Sequence, residues 1–186
     1  AVEDEVDLEV IEFPPLATGI KQPDEIKDVA LNLAGNIADG ETLESAIAFA
    51  SRMVTVSTTL AAAASLNATS LSLSANPGVG ALLFINPSGP NTETLKVLSV
   101  SGAGPYSVTI VPTVEFAHTN GEAVNYEPGA TSRILQSATA TIQETFAVVR
   151  AKRGGAAGQF YRISVHGTCS DGQVITAVAR LSTAEL

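Results

Sequence analysis

The most regular feature of the chain is an alternation of apolar and polar residues with a period of two, which is typical of strands with one buried face. It occurs in 28–33, where the odd positions are apolar, and again in 160–165 and 174–181. Residues 42–57 fit either strands or one short helix, and we favour strands because the segment ends in Met53-Val-Thr-Val56. Both ends of the chain are therefore predicted to be β-structure.

The middle of the chain has a different composition. It is rich in Ala, Ser, Thr and Gly, and clusters of Gly and Pro typical of turns divide it. Short strands separated by such turns are typical of a small barrel or sandwich. The predicted strands are 70–74, 81–85, 93–100 and 106–111. Neither end of the chain has enough strands for two layers by itself, so we expect the two ends to form one domain with the middle inserted.

These patterns divide the chain into three parts and predict an all-β fold. Residues 1–20 are expected to form an extended acidic arm, because Pro14 and Pro15 disfavour helix. Residues 21–57 and 132–186 would form one discontinuous β-sandwich, and 58–131 an inserted small β-barrel or sandwich. Within the last third, Asp171-Gly172 predicts a tight hairpin.

Charge narrows the classes of partner. The formal net charge is −9, which argues against nucleic acid because phosphate binding needs clustered Lys and Arg. The first twelve residues contain six acidic side chains, whereas the chain from Arg133 onward contains six basic side chains and three acidic ones. The leader is therefore either a solvated terminus or an arm that settles on a basic neighbouring subunit.

The sequence contains no apolar run long enough for a membrane span and no pattern of a cleavable signal peptide. The only cysteine, Cys169, cannot form an internal disulfide. We expect a protein made in the cytoplasm, with no membrane partner.

No catalytic, cofactor or metal site is predicted. Lys152-Arg153-Gly-Gly-Ala-Ala-Gly158 superficially suggests a phosphate loop, but a strand rather than a helix is expected behind it, so a turn is favoured. His166 and Cys169 are too few for a structural zinc site, His118 is the only other histidine, and nothing indicates a Cys-His nucleophile pair. We therefore expect a non-enzymatic protein.

Two groups of motifs resemble structural proteins of tailed-bacteriophage virions. One group runs from the Ala-rich 58–74 through 79–85 and 93–97 to Phe116-Ala-His-Thr-Asn-Gly-Glu-Ala-Val124. It resembles a small β module that recurs in such proteins. The other combines Phe13-Pro-Pro, 21–28 and 161–172, and is similar to small immunoglobulin-like phage proteins, although no Trp follows its first motif and the other module interrupts it.

The resemblance implies an immunoglobulin-like sandwich with an inserted β module, located on the surface of a virion head. The implied function is capsid decoration by multivalent, non-catalytic contacts with the major capsid protein and with copies of the chain itself, as a trimer or another homo-oligomer. A head-to-tail connector, a neck or tail component and a surface-displayed glycan-binding module remain alternatives. The residues expected to contact partners lie in the N-terminal segment: Val2, Glu3, Asp4, Leu8, Val10, Phe13, Pro14 and Pro15.

Overall fold

The computed structural model describes residues 8–11, 18–21, 26–152 and 158–183. Strands dominate these ranges, so the predicted all-β class is confirmed. The strands are β1 (Leu8–Ile11), β2 (Thr18–Lys21), β3 (Lys27–Asn32), β4 (Leu43–Arg52), β5 (Val56–Thr59), β6 (Ser70–Leu73), β7 (Leu82–Ile85), β8 (Glu93–Ser101), β9 (Tyr106–Val111), β10 (Ala123–Glu127), β11 (Thr141–Gln143), β12 (Phe146–Ala151), β13 (Phe160–Cys169) and β14 (Val174–Thr183). A 3₁₀ turn, Ala34–Asn36, and a short helix α1, Thr131–Ile134, complete the described elements. No helix in the described ranges is long and apolar enough to cross a bilayer.

The chain divides into two compact units. The first unit comprises Ala1–Ala50 with Thr131–Leu186, and the second comprises Ser51–Ala130. The second unit begins before the predicted residue 58, because β5 pairs with β10 of the same unit. We call the first unit the sandwich and the second the barrel.

The sandwich contains two four-stranded sheets. One has the order β1-β3-β12-β11 and the other β2-β14-β13-β4. Strand β14 alternates strictly between buried and less buried residues, and β13 does so except at the buried Ser164, as the period-two pattern predicts. Their buried faces carry Tyr161, Ile163, Ala179 and Leu181, each at most 1% exposed. The core of this unit therefore lies on the inner face of these long strands.

Strand β3 differs from the predicted half-buried strand. Val29 and Leu31 are buried as expected, but Asp28 and Ala30 on the other face are buried too. The strand is interior to its sheet, between β1 and β12, and the guanidinium of Arg150 covers Asp28. Two hydrogen bonds of 2.7 Å join Arg150 Nε and Nη2 to the two carboxylate oxygens of Asp28. This bidentate pair raises the pKa of Arg150.

The barrel is a closed structure of six antiparallel strands. Its sheet order is β5-β10-β7-β8-β9-β6, and the two outer strands meet where Leu60 and Leu73 form a bridge. The amide of Ala61 donates to Ser72 O and that of Ser74 donates to Thr59 O. These contacts close the sheet, and the interior is filled by aliphatic side chains, with Tyr126 as the only aromatic in the buried cluster. Of the two predicted forms of the insert, the barrel is the one observed.

Several local predictions are met. The ambiguous segment 42–57 forms strands, with β4 covering most of it. The turn at Asp171-Gly172 joins β13 to β14, and Gly172 has a φ of 85°, a region that glycine adopts without steric penalty. A strand, β13, follows the glycine-rich connection, whose residues 153–157 lie outside the described ranges.

The N-terminal segment contributes strands to both sheets. β1 pairs in parallel with β3, and β2 pairs in parallel with β14. Residues 8–11 and 18–20, which were expected in an arm apart from the sandwich, thus belong to edge strands of it.

Candidate functional site

A group of interacting charged side chains lies in the barrel. His118 is only 3% exposed and sits between two carboxylates. Its Nε2 is 2.8 Å from Glu93 Oε1, and its Nδ1 is 3.1 Å from Glu122 Oε1. With both carboxylates ionised, the ring satisfies both contacts only when each nitrogen carries a proton. We call Glu93, His118 and Glu122 the charge cluster.

Backbone amides complete the bonding of the cluster. Glu93 accepts hydrogen bonds from the amides of Glu115 at 2.8 Å and Phe116 at 2.7 Å. Glu122 accepts from the amide of Thr119 at 2.8 Å. This amide, together with the contact to the imidazole, lowers the pKa of Glu122 despite partial desolvation. The carboxylates therefore have the fixed partners that ionised groups need inside a protein.

The cluster ties loop 112–122, which follows β9, to the start of β8 at one end of the barrel. Loop 60–69, which follows β5, pairs with the same loop through reciprocal 2.9 Å backbone bonds between Ala64 and His118. The amide of Gly121 adds a bond to Leu60 O. The polar atoms of the charge cluster bond to one another and to the backbone of loop 112–122. We therefore interpret the cluster as a structural clasp.

The clasped end is opposite the end at which the chain enters and leaves the barrel. The strands alternate in direction, and Ser51 and Gly129 pair at the entry end. At the clasped end, Leu66 is 58% exposed and Phe116 40%. The backbone near Phe116 is held by Glu93, so an apolar surface is presented on a fixed loop.

The two residues considered for metal or nucleophilic chemistry do not form a site together. His166 and Cys169 lie on β13 at positions of opposite parity, so they point to opposite faces of the sheet. The His166 ring makes an edge contact with Phe49 at 5.7 Å, and its Nδ1 is 3.4 Å from Thr176 Oγ1. No group of three or more metal-ligating side chains occurs in the part of the chain that the structure describes.

Cys169 has the surroundings of a buried structural thiol. Burial raises its pKa, and the charges of Asp171, Glu41 and Glu44 raise it further. A higher pKa leaves less thiolate, which is the reactive form. Hydrophobic packing is the role that fits this residue.

The outer face of β13 and β14 carries a pair of cations. Arg162 and Arg180 are direct cross-strand partners in the antiparallel register. The guanidinium carbon of Arg180 lies 3.8 Å from the centre of the Phe160 ring, and Phe160 is 42% exposed. We call Phe160, Arg162 and Arg180 the arginine face.

Two of the residues predicted to bind partners, Leu8 and Val10, are in β1, opposite Asp28 and Ala30. The others lie outside the described residues: Val2, Glu3, Asp4, Phe13, Pro14 and Pro15. Their role in binding stays a prediction.

Sequence reasoning missed the charge cluster and the arginine face. His118 and Glu122 lie four residues apart in the motif 116–124, so their proximity could have been inferred from the sequence. Glu93 is 25 residues from His118, and only the folding of the barrel brings the two together. The arginines are 18 positions apart, and only the hairpin register pairs them. Neither contact can be read without knowing which strands are neighbours.

Comparison with known proteins gives the chain no relatives: no family model matches it, and no curated protein matches its sequence significantly.

Proposed function

We propose that the protein is a bacteriophage capsid decoration protein that binds the outer surface of the head through non-catalytic, multivalent contacts. The observation that carries the proposal is the strand order of the sandwich, combined with the position of the barrel in the chain. Both agree with the two-module resemblance found in the sequence.

The strand orders of the two sheets support the immunoglobulin-like part of the proposal. If β3, β4, β11, β12, β13 and β14 are taken as strands B to G, the sheets read B-E-D and G-F-C. This order supports the immunoglobulin-like proposal, because constant-type domains have the same order with strand A added to the first sheet. β1 occupies the position of strand A but pairs with β3 in parallel, whereas such sheets are antiparallel. Tyr161, buried near the start of β13, lies where such domains often carry a tyrosine in strand F.

The barrel is inserted between the strands that correspond to C and D. Its chain connections lie at one end, so the clasped end with Leu66 and Phe116 is free of them. A displayed module with a rigid tip suits a protein that coats a surface. Fold analogy alone does not decide the function, and the resemblance supplies the viral context.

The proposed binding relies on many copies rather than on one strong site. A homo-oligomer on a repetitive shell gains effective concentration, so each contact can be weak. The edge strands β1 and β2 belong to the N-terminal segment, which is proposed to supply contacts to the major capsid protein and to neighbouring copies. Strand addition at a sheet edge is one established mode of such contacts.

The test is the copy number of the chain in purified particles, measured by quantitative mass spectrometry against the major capsid protein. A number comparable with that of the capsid protein supports decoration. A number that matches a single ring would overturn it in favour of a neck or tail component, and absence from particles would favour a free binding module.

A second measurement tests direct binding. The purified chain is added to particles that lack it, and bound chain is counted after sedimentation. Saturable binding is expected, and a variant lacking residues 1–7, which keeps strand β1 in its sheet, should bind more weakly. Undiminished binding by the truncated variant would remove the N-terminal segment from the interface.

A further inference from the structure

The loop that the charge cluster holds contains the only Asn-Gly pair of the chain, Asn120-Gly121. An asparagine followed by glycine is prone to spontaneous deamidation, because no side chain shields the next backbone nitrogen. That nitrogen loses its proton and attacks the side-chain carbonyl carbon of the asparagine, and ammonia leaves as a succinimide ring closes. Water then opens the ring to give either aspartate or isoaspartate. Asn120 is exposed, so solvent reaches the group that would react.

The folded turn around Asn120 opposes closure of that ring. The amide of Glu122 donates to Thr119 O at 3.3 Å, and Gly121 has a φ of 84° directly after Asn120, whose φ is negative. This is the pattern of a type II turn, in which ψ of the second residue is about +120°. Ring closure on an L-asparagine needs a ψ of the opposite sign. The turn must therefore open before the nitrogen can attack.

Hydrogen bonds of the clasped end restrain the same nitrogen. The amide of Gly121 donates to Leu60 O at 2.9 Å, so its proton is engaged by the neighbouring loop. Glu122 Oε2 accepts from the amide of Thr119 at 2.8 Å, and its Oε1 lies 3.1 Å from His118 Nδ1. The clasp thus fixes both ends of the turn that carries the Asn-Gly pair.

We propose that Asn120 is a deamidation site that the clasp protects, so that it reacts only in chains whose clasp has opened. The product then hinders closure. Isoaspartate adds a methylene group to the backbone of the turn, which displaces the Gly121 amide from Leu60 O, and either product places a new negative charge near Glu122. A reversible opening of the clasp thereby becomes an irreversible change at the exposed tip. The inference concerns the barrel by itself and does not rest on binding to a capsid.

The experiment follows deamidation of the full chain during incubation at mildly alkaline pH. Mass spectrometry measures conversion in the peptide that contains Asn120, and enzymatic methylation counts isoaspartate. The unmodified chain should react far more slowly than the same chain unfolded in urea. Glu93→Gln, which weakens the clasp, should raise the rate about a hundredfold toward that of the unfolded chain, in proportion to the population of open clasp.

Two controls isolate the clasp and the site. Glu115→Gln makes the same chemical change at an exposed neighbouring side chain and should leave the rate unchanged. Asn67 is also exposed but is followed by alanine, so it should stay unreacted in each variant and serve as an internal reference. Adding Asn120→Gln to Glu93→Gln should abolish the rapid conversion, which assigns it to this residue.

Other results overturn the proposal. Reaction of Asn120 in the unmodified chain at the rate of the unfolded chain would show that the turn gives no protection. If Glu93→Gln does not fold, Glu122→Gln removes only one carboxylate of the cluster and should react at an intermediate rate. A rate equal to that of the unmodified chain in either variant would exclude control by the clasp. Purified isoaspartate chain should show lowered hydrogen-exchange protection of 112–122, and full protection would exclude the irreversible change.

Discussion

Replacing Glu93 with glutamine probes the clasp of the barrel with almost no change in shape. The carboxylate contacts the imidazole of His118 at 2.8 Å and accepts two backbone amides, those of Glu115 and Phe116. A glutamine has one acceptor oxygen, so its NH₂ group must face one of these donors. The variant therefore loses one hydrogen bond outright and places a neutral amide beside the buried His118 ring.

The expected loss follows from these two changes. An unsatisfied donor and a weakened charge-assisted contact together lower the free energy of unfolding of the barrel by about 3 kcal/mol. In a unit of this size, that corresponds to a fall in Tm of about 12 to 24 °C. If the amides of 112–122 exchange through opening of the whole barrel, their protection should fall about a hundredfold.

The assay is hydrogen exchange of the full chain followed by mass spectrometry, with calorimetry for Tm. Glu115→Gln is the matched control, since it makes the same chemical change at an exposed side chain nearby. Equal effects of the two substitutions, or unchanged protection of 112–122 in Glu93→Gln, would refute the assignment of the clasp.

The barrel should also lose stability in acid, because the pKa of Glu122 is lowered in the folded state. The stability that Glu122 contributes is present above its unfolded pKa and is lost as the pH falls through its folded pKa. Glu122→Gln should flatten this acid limb in urea unfolding at a series of pH values, and an unchanged limb would contradict the sign. Gly129→Ala should destabilise the protein by about 1 to 3 kcal/mol or more, because the new Cβ meets the backbone of residues 78 and 79. Gly167→Ala should destabilise it less, because its new Cβ meets mainly flexible leucine and isoleucine side chains. Equal losses of stability in chemical denaturation would contradict this ranking. The fragment 51–130 should fold alone, because its barrel is closed around its own core, and a collapsed amide NMR spectrum would argue otherwise.

Strands β3, β6 to β9, β13 and β14 could be predicted from the sequence because local alternation and turn residues specify them. β4 was harder, since its Ala-rich centre suits a helix as well as a strand, and pairing with β13 decides the outcome. β3 was misjudged on one face because burial of Asp28 depends on Arg150, 122 positions away. The N-terminal strands were hidden by prolines and acids, which describe an extended chain without indicating that sheets flank it.

The candidate sites were the hardest feature to predict from the sequence, because they depend on which strands pair and in which register. His118 and Glu122 are neighbours in sequence, but only barrel closure adds Glu93. Arg162 and Arg180 look like two solvated cations until the β13–β14 register makes them opposite. Sequence reasoning recovers the elements, while the interactions between charged groups require the tertiary pairing.

The backbone pairing at the end where the chain enters and leaves the barrel has a consequence for how such proteins diversify. The amide of Arg52 donates to Pro128 O at 2.8 Å, and in the sandwich the amide of Ala50 donates to Thr131 Oγ1 at 3.0 Å. The two chain crossings are therefore side by side, and a short turn could span them with little loss of entropy. The sandwich should accept excision of the barrel, or its exchange for an unrelated domain with closely spaced termini, so the two units are free to evolve separately.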